Sequence, residues 1–205
     1  MIYLVAAISL LPFTSASNFF PLIPGTTWTY QDSGSQSTIV DIVTVPKIQG
    51  DEKPYGVIKQ TINGEVIGEL SYRVTGNSVY LIGKGPSDEI VERKILMIGG
   101  SLNWDYFAGA VSPYSTDEIH INAHSEPGTA EKLFGKLRDT IVLSMDATAG
   151  GTKGLNVHQV ATYAKGIGLV SFVETGTAGS TKIDHTQTLI DFKPGTGSDI
   201  SNVGQ

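Results

Sequence analysis

Residues 55–74 read YGVIKQTINGEVIGELSYRV. Asn63-Gly64 interrupts two runs that are rich in β-branched residues, and both turn positions tolerate the positive φ that a two-residue hairpin needs. The pattern therefore predicts an antiparallel hairpin with strands Tyr55–Ile62 and Glu65–Val74.

Similar runs, separated by turn residues, extend in both directions from this hairpin. Further strands are predicted over residues 38–45, 78–82, 89–98, 118–124, 137–145, 155–163, 168–175 and 181–192. Within 118–124, polar residues alternate with Ile119, Ile121 and Ala123, which indicates one buried face and one solvated face. Residues 129–134 are predicted as a short helical turn. The sequence thus predicts a mostly β protein with little helix, built as a single large antiparallel sheet in which consecutive strands are neighbours.

Two stretches of the chain repeat one pattern. Leu22–Tyr30 and Met97–Tyr106 both run from apolar residues through glycine to Trp-x-Tyr, and they contain the only two tryptophans. The Trp and the Tyr of each stretch are two residues apart, so they project from the same face of a strand. We expect both pairs to anchor strands in the core at the start of two similar halves: Trp28, Tyr30, Trp104 and Tyr106. A duplication and the independent reuse of one short motif both remain open.

The two ends of the chain differ in composition from the rest. Residues 2–13 are almost wholly apolar. This run has the length of a signal-peptide core and is shorter than the ~20 residues that span a bilayer. Small residues precede a predicted cleavage site after Ala16, although no Lys or Arg precedes the apolar run; a buried N-terminal strand or helix is the alternative. We expect a signal peptide at 1–16, one β domain at 17–193 and a disordered Gly/Ser-rich tail at 194–205.

Composition narrows the classes of function. The 205 residues carry a net charge of −6, and no cluster of Lys and Arg offers a basic face, which argues against nucleic-acid binding. The absence of cysteine excludes disulfides, thiol catalysis, cysteine-ligated metals and a lipidated cysteine. We expect a Sec-exported, secreted or periplasmic protein without a lipid anchor or a transmembrane segment in the mature chain.

The weak candidates for a metal site are Glu118, His120 and His124, which share one side of a predicted strand. At ~3.3 Å per residue, His120 and His124 would lie about 13 Å apart, too far to share one zinc ion. A metal would need a bend in the strand or ligands from another strand, such as His158 or His185. No G-x-S-x-G elbow supports a serine hydrolase. We therefore expect no catalytic residues, no metal and no cofactor, and a solvated strand face at 118–124.

Three segments carry a resemblance to a known group. Residues 19–30 read FFPLIPGTTWTY, a second glycine-to-tryptophan element spans Gly100–Trp104, and residues 163–170 read YAKGIGLV, with glycines at Gly166 and Gly168. Together they resemble DUF3108-like exported bacterial proteins of unknown function, which begin YFPL-x-x-G-x-x-W-x-Y and carry Y-A-x-G-V-G-L-V near the end. The chain lacks that group's frequent lipobox cysteine. The resemblance implies a strongly curved antiparallel half-barrel, comparable to periplasmic lipoprotein carriers, and supplies no catalytic residues.

Three hypotheses for function follow. The first is a monomeric, non-catalytic protein that binds an apolar small molecule or a lipid-like ligand on the concave face of the sheet, an idea that needs an interior not completely filled by side chains. The second is a surface or matrix component that acts through protein contacts at strand edges. The third, with the least support, is a metal-dependent hydrolase.

Overall fold

The computed structural model describes residues 15–34, 37–44, 55–84, 90–108, 119–150 and 154–197. These residues form almost entirely β structure, as predicted. A single-turn 3₁₀ helix at Ala16–Asn18 precedes strands β1 (Thr27–Asp32), β2 (Thr38–Thr44), β3 (Gly56–Ile62), β4 (Glu65–Thr75), β5 (Ser78–Lys84), β6 (Ile90–Met97), β7 (Leu102–Ala108), β8 (Ile119–Pro127), β9 (Glu131–Leu133), β10 (Lys136–Arg138), β11 (Thr140–Ala149), β12 (Leu155–Ala164), β13 (Gly168–Ala178) and β14 (Thr181–Lys193). No helix in these ranges is long and apolar enough to cross a membrane.

Twelve of the strands form one antiparallel sheet in the order β6-β5-β4-β3-β2-β1-β14-β13-β12-β11-β8-β7. Strands β1–β6 are consecutive neighbours in one half, and β7, β8 and β11–β14 form the other, in which β8 pairs with β11 because β9 and β10 form a separate hairpin. The pairing of β1 with β14 joins the two halves. The sheet is strongly curved, as expected, and it is closed further than a half-barrel: it is nearly closed and barrel-like.

The closing line lies between β6 and β7, which we call the seam because no hydrogen-bonded ladder joins these two strands. Side chains cross it instead. The Trp104 indole Nε1 donates to the Lys94 carbonyl at 3.0 Å, and the Ser125 hydroxyl donates to the Met97 carbonyl at 2.6 Å. The second Trp-x-Tyr stretch therefore serves to hold the two ends of the sheet together.

The hairpin predicted from Asn63-Gly64 is present. Asn63 has φ 51° and Gly64 has φ 86°, and Ile62 pairs directly with Glu65. Because both turn residues have positive φ, the turn twist matches that of the flanking strands and fixes the register next to the turn, up to a shift between Gln60 and Thr61.

The prediction for residues 129–145 is wrong at its start. A strand, β9, stands where a helical turn was expected, and the strand predicted over 137–145 is divided between β10 and β11. Leu137 is 74% exposed on β10, whereas Ile141 and Leu143 are buried on β11. Phe134 and Gly135 both have positive φ, 46° and 80°, so the chain turns tightly there. Residues 136–138 consequently pair with 131–133 and do not continue the ladder of β11.

The segment before β1 covers one end of the sheet interior. Phe19 and Leu22 are buried, and the Phe20 ring lies 5.0 Å from the ring of Tyr72. The N–H of Ala16 donates to the Gly76 carbonyl at 2.9 Å, in the turn between β4 and β5. This covering segment is therefore tied to the sheet at the residue after which signal-peptide cleavage was predicted; residues 1–14 lie outside the described residues, and the signal peptide remains a prediction.

The predicted tail begins in contact with the same end of the sheet. Gly195 donates its N–H to the Thr26 hydroxyl at 3.0 Å. Residues 198–205 lie outside the described residues, so the disordered tail stays a prediction there.

Candidate functional site

A cavity of about 110 Å³ lies inside the sheet, beneath the covering segment. Its walls contain five aromatic side chains: Phe20, Trp28, Tyr30, Tyr72 and Tyr163. Ile58, Ile95 and Leu169 complete most of the apolar lining, and one carboxyl, that of Asp41, faces the same space. The interior of the sheet is therefore mostly filled by side chains but not completely.

Strand alternation and register bring these residues together. Trp28 and Tyr30 share the inward face of β1, and Trp28 is directly opposite Asp41 on β2. Asp41 is in turn opposite Gln60 on β3. Directly opposite residues of neighbouring strands point to the same face of a sheet, so Asp41 is placed beside the indole of Trp28.

The first Trp-x-Tyr pair is fixed by the glycine-containing segment at residues 166–169. Trp28 Nε1 donates to the Ile167 carbonyl, and the Tyr30 hydroxyl donates to the Leu169 carbonyl at 3.1 Å. Gly168 has φ +106° and lies flat against the indole, where a Cβ would come within 3.2 Å of Trp28 Nε1. The glycine is thus needed both for its backbone conformation and for close approach of the ring.

The Asp41 carboxyl is half-buried, and burial raises its pKa to about 6. Gln60 Nε2 donates to Asp41 Oδ1 at 3.1 Å, which opposes that shift because this hydrogen bond favours the charged carboxylate. Burial also raises the pKa of Tyr30, and the nearby Asp41 charge raises it further. The pKa values of Tyr72 and Tyr163 are likewise raised by burial. Among the lining residues, Asp41 is therefore the group that changes charge near neutral pH.

The second pair, Trp104 and Tyr106, is not among the residues that line this cavity. Trp104 is half-buried at the seam, and burial raises the pKa of the half-buried Tyr106, an effect that the charge of Arg93 opposes. The two motifs share one device, an indole N–H that donates to the main-chain carbonyl of a distant strand or turn. They use it for different purposes, one at a cavity wall and the other at the seam.

The histidines considered for a metal site point to the outer, solvated face of β8. His120 Nε2 lies 3.9 Å from an Asp105 oxygen, and His124 Nδ1 lies 2.8 Å from Asn103 Oδ1. Ile119 and Ala123 are buried on the opposite face, which confirms the predicted alternation. Glu118 lies outside the described residues, and within the described ranges no group of three or more His, Asp or Glu side chains could hold a metal ion.

The other two histidines are separated by the sheet as well. His158 Nδ1 lies 2.8 Å from Asp146 Oδ1 on the outer face. His185 points inward, where its Nε2 contacts the buried carboxyl of Asp32. The four histidines therefore do not converge on one site.

Sequence analysis missed Asp41 and the pair of Asp32 with His185. The available signal was the spacing of two residues that places side chains on the same strand face. Asp41 has this spacing from Ile39 and Val43, and Asp32 has it from Tyr30, so both acids share a face with buried residues. The partners of these acids could not be predicted, because they depend on strand order, which the residue pattern alone does not give. Gln60 lies 19 positions from Asp41 in the sequence, and His185 lies 153 positions from Asp32.

No protein-family model matches the sequence, and no curated protein matches it. Two solved structures match this chain in a structural comparison. One is a predicted lipoprotein of Parabacteroides distasonis, with a TM-score of 0.52, 12% identity, and coverage of 85% of this chain and 98% of that one. The other is a predicted exported protein with a YmcC-like fold from Bacteroides fragilis, with a TM-score of 0.44, 11% identity, and coverage of 86% and 99%. At 12% identity, the similarity to the Parabacteroides distasonis structure shows the fold alone. The resemblance to DUF3108-like proteins stays a prediction.

Proposed function

We propose that this protein is an exported, non-catalytic binding protein that holds a small apolar or amphiphilic ligand inside its curved sheet. The observation that carries the proposal is the interior cavity of about 110 Å³ with aromatic walls and a single carboxyl. Ligand sites combine a mostly apolar lining with a few placed polar groups, and this cavity has that composition.

The size of the cavity limits the ligand. Drug-sized pockets measure roughly 300–1,000 Å³, whereas one water molecule occupies about 30 Å³ of the liquid. A cavity of about 110 Å³ thus accommodates a group of only a few non-hydrogen atoms. The proposed ligand is therefore smaller than the lipid-like ligand expected from the sequence. It is either a small molecule or the end of a longer one.

The walls favour binding because they are already in position. Trp28 and Tyr30 are held by hydrogen bonds to the main chain at Ile167 and Leu169, and the Phe20 ring packs against Tyr72. A preformed site avoids the cost of ordering side chains when the ligand arrives.

Export is supported by the apolar run at residues 2–13, which has the length of a signal-peptide core. The similar solved structure from Parabacteroides distasonis is described as a predicted lipoprotein, a description that is in keeping with export of this chain.

The proposal is tested by native mass spectrometry of the protein purified without denaturation, comparing wild type with Ile95→Phe and Ile90→Phe. Ile95 lines the cavity, so a phenyl ring there occupies the ligand space. Ile90 lies on the same strand but is 53% exposed, which makes Ile90→Phe the matched control.

We expect a small-molecule adduct on wild type and on Ile90→Phe, and its loss from Ile95→Phe. An adduct of unchanged occupancy on Ile95→Phe would place the ligand elsewhere. Bare protein in all three samples, together with no binding of added small apolar probes, would contradict the proposal.

A second candidate function is contact with a protein partner at the outer surface. The observation in its favour is a shallow polar groove of about 340 Å³ on the outer face of β7, β8 and β11, lined in part by Asn103, Asp105, His124 and Asp146. Size-exclusion chromatography with light scattering tests self-association through this surface, and a strict monomer at high concentration counts against it.

A further inference from the structure

The cavity carries a negative charge without a positive partner. In the described part of the chain, the hydrogen bond that Asp41 accepts comes from the neutral amide of Gln60, and no Lys, Arg or His lines the cavity. A buried carboxylate is costly unless a cation or several hydrogen bonds compensate it. The Asp41 carboxylate therefore lacks a positively charged partner, and a ligand could supply one.

The aromatic walls suit the same kind of group. Rings of Phe20, Trp28, Tyr30, Tyr72 and Tyr163 surround the space. The face of an aromatic ring attracts a cation within about 6 Å, and tryptophan does so most strongly. Sites that recognise alkylated ammonium groups combine several such rings with little room for water.

We infer that the cavity selects a small organic cation, such as an alkylammonium group, with Asp41 as its counter-charge and the surrounding rings as its walls. This inference rests on the proposed binding function and specifies its ligand class. The alkyl carbons fill the apolar space beside Ile58 and Ile95, and the charged nitrogen lies on the Asp41 side.

Other ligand classes fit this cavity less well. An anion would be repelled by the ionised Asp41 carboxyl. A neutral apolar molecule would separate that carboxyl from water and leave one of its oxygens without compensation, since the hydrogen bond from Gln60 reaches Oδ1. A larger cation with several long chains would exceed a space of about 110 Å³.

The test compares two probes of the same shape and the same number of non-hydrogen atoms, tetramethylammonium and tert-butanol. Binding of each to the full chain is measured by calorimetric or NMR titration at about pH 7.5, where the Asp41 carboxyl is ionised. We expect tetramethylammonium to bind at least about 10-fold more tightly than tert-butanol.

Three variants test whether the preference for tetramethylammonium over tert-butanol arises in the cavity and depends on Asp41. Asp41→Asn should reduce the preference for tetramethylammonium to the part that the aromatic rings supply, while tert-butanol still binds, because the amide keeps the shape of the side chain without its charge. Asp184→Asn removes a carboxyl from β14, where the side chain is 65% exposed, and should leave both affinities unchanged. Ile95→Phe should weaken both probes.

The outcomes separate this inference from the proposed function. Equal affinities for the two probes in wild type would overturn the cation inference and support the binding function. A preference for the cation that is undiminished in Asp41→Asn would also overturn it. No binding of either probe would contradict both proposals, leaving a cavity that holds water only. Since wild type alone gives the ratio of affinities, the test stands even if Asp41→Asn does not fold.

Discussion

Replacing the Asp41 carboxyl by an amide should make the protein more stable above neutral pH. The fold raises the pKa of Asp41 from the ordinary value of 3.8 to about 6, chiefly through burial. The folded state therefore binds the Asp41 proton more tightly than the unfolded state, and stability falls as pH rises through the interval between the two pKa values. The amide that Asp41→Asn introduces cannot ionise, so this variant avoids the loss.

The magnitude follows from the size of that interval. A pKa difference of one unit corresponds to about 1.4 kcal/mol, so the shift of Asp41 corresponds to at most about 3 kcal/mol. Because the side chain is only half-buried, water screens part of the effect, and we expect Asp41→Asn to gain about 2 kcal/mol at pH ~8. Near pH ~4 the two proteins should be almost equally stable.

Urea unfolding followed by tryptophan fluorescence, at several pH values between these limits, measures the difference. The control is Asp105→Asn, whose exposed side chain should change stability by less than about 0.5 kcal/mol at every pH. A constant difference between wild type and Asp41→Asn across the whole range would refute the reasoning, because it would mean that Asp41 titrates equally in the folded and unfolded states.

Three further substitutions test the packing. Trp28→Ala should cost about 3–5 kcal/mol in urea unfolding, as expected for truncation of a buried aromatic ring, and a loss below ~1 kcal/mol would mean that the ring is exposed. Trp104→Phe should cost about 1 kcal/mol through loss of the bond to the Lys94 carbonyl, and hydrogen exchange should quicken at strand β6; unchanged exchange there would argue against a seam held by the indole. Gly168→Ala should cost about 1–3 kcal/mol, because φ is +106° and the new Cβ would press on the indole, whereas Gly68→Ala, with open space around it, should cost under about 1 kcal/mol; equal unfolding midpoints for these two variants would contradict the close approach to the ring.

The strands of this protein were largely predictable because their signals are local. Asn63-Gly64 determines its hairpin by backbone preference alone, and the alternation of Ile119, Ile121 and Ala123 identifies the buried face of β8. These features need no knowledge of what lies opposite. The same holds for Trp28, whose burial follows from its size and from its alternation with Thr27 and Thr29 on β1.

The cavity was not predictable in the same way. Asp41 is an ordinary acidic residue within a β-branched run until strand order places it between Trp28 and Gln60. The degree of closure was also beyond the local pattern, since it depends on whether the first and last strands of the sheet meet. That depends on side chains such as Trp104, whose bonding partner on β6 becomes apparent only once the sheet has curved.

The seam gives the sheet one line along which it can widen at low cost. Separating any other two neighbouring strands of the sheet breaks a ladder of main-chain hydrogen bonds, whereas separating β6 from β7 breaks side-chain bonds such as that from Trp104 to Lys94. Ile95, the residue after Lys94, is part of the cavity wall. We therefore expect fluctuations of the seam to change the volume of the interior.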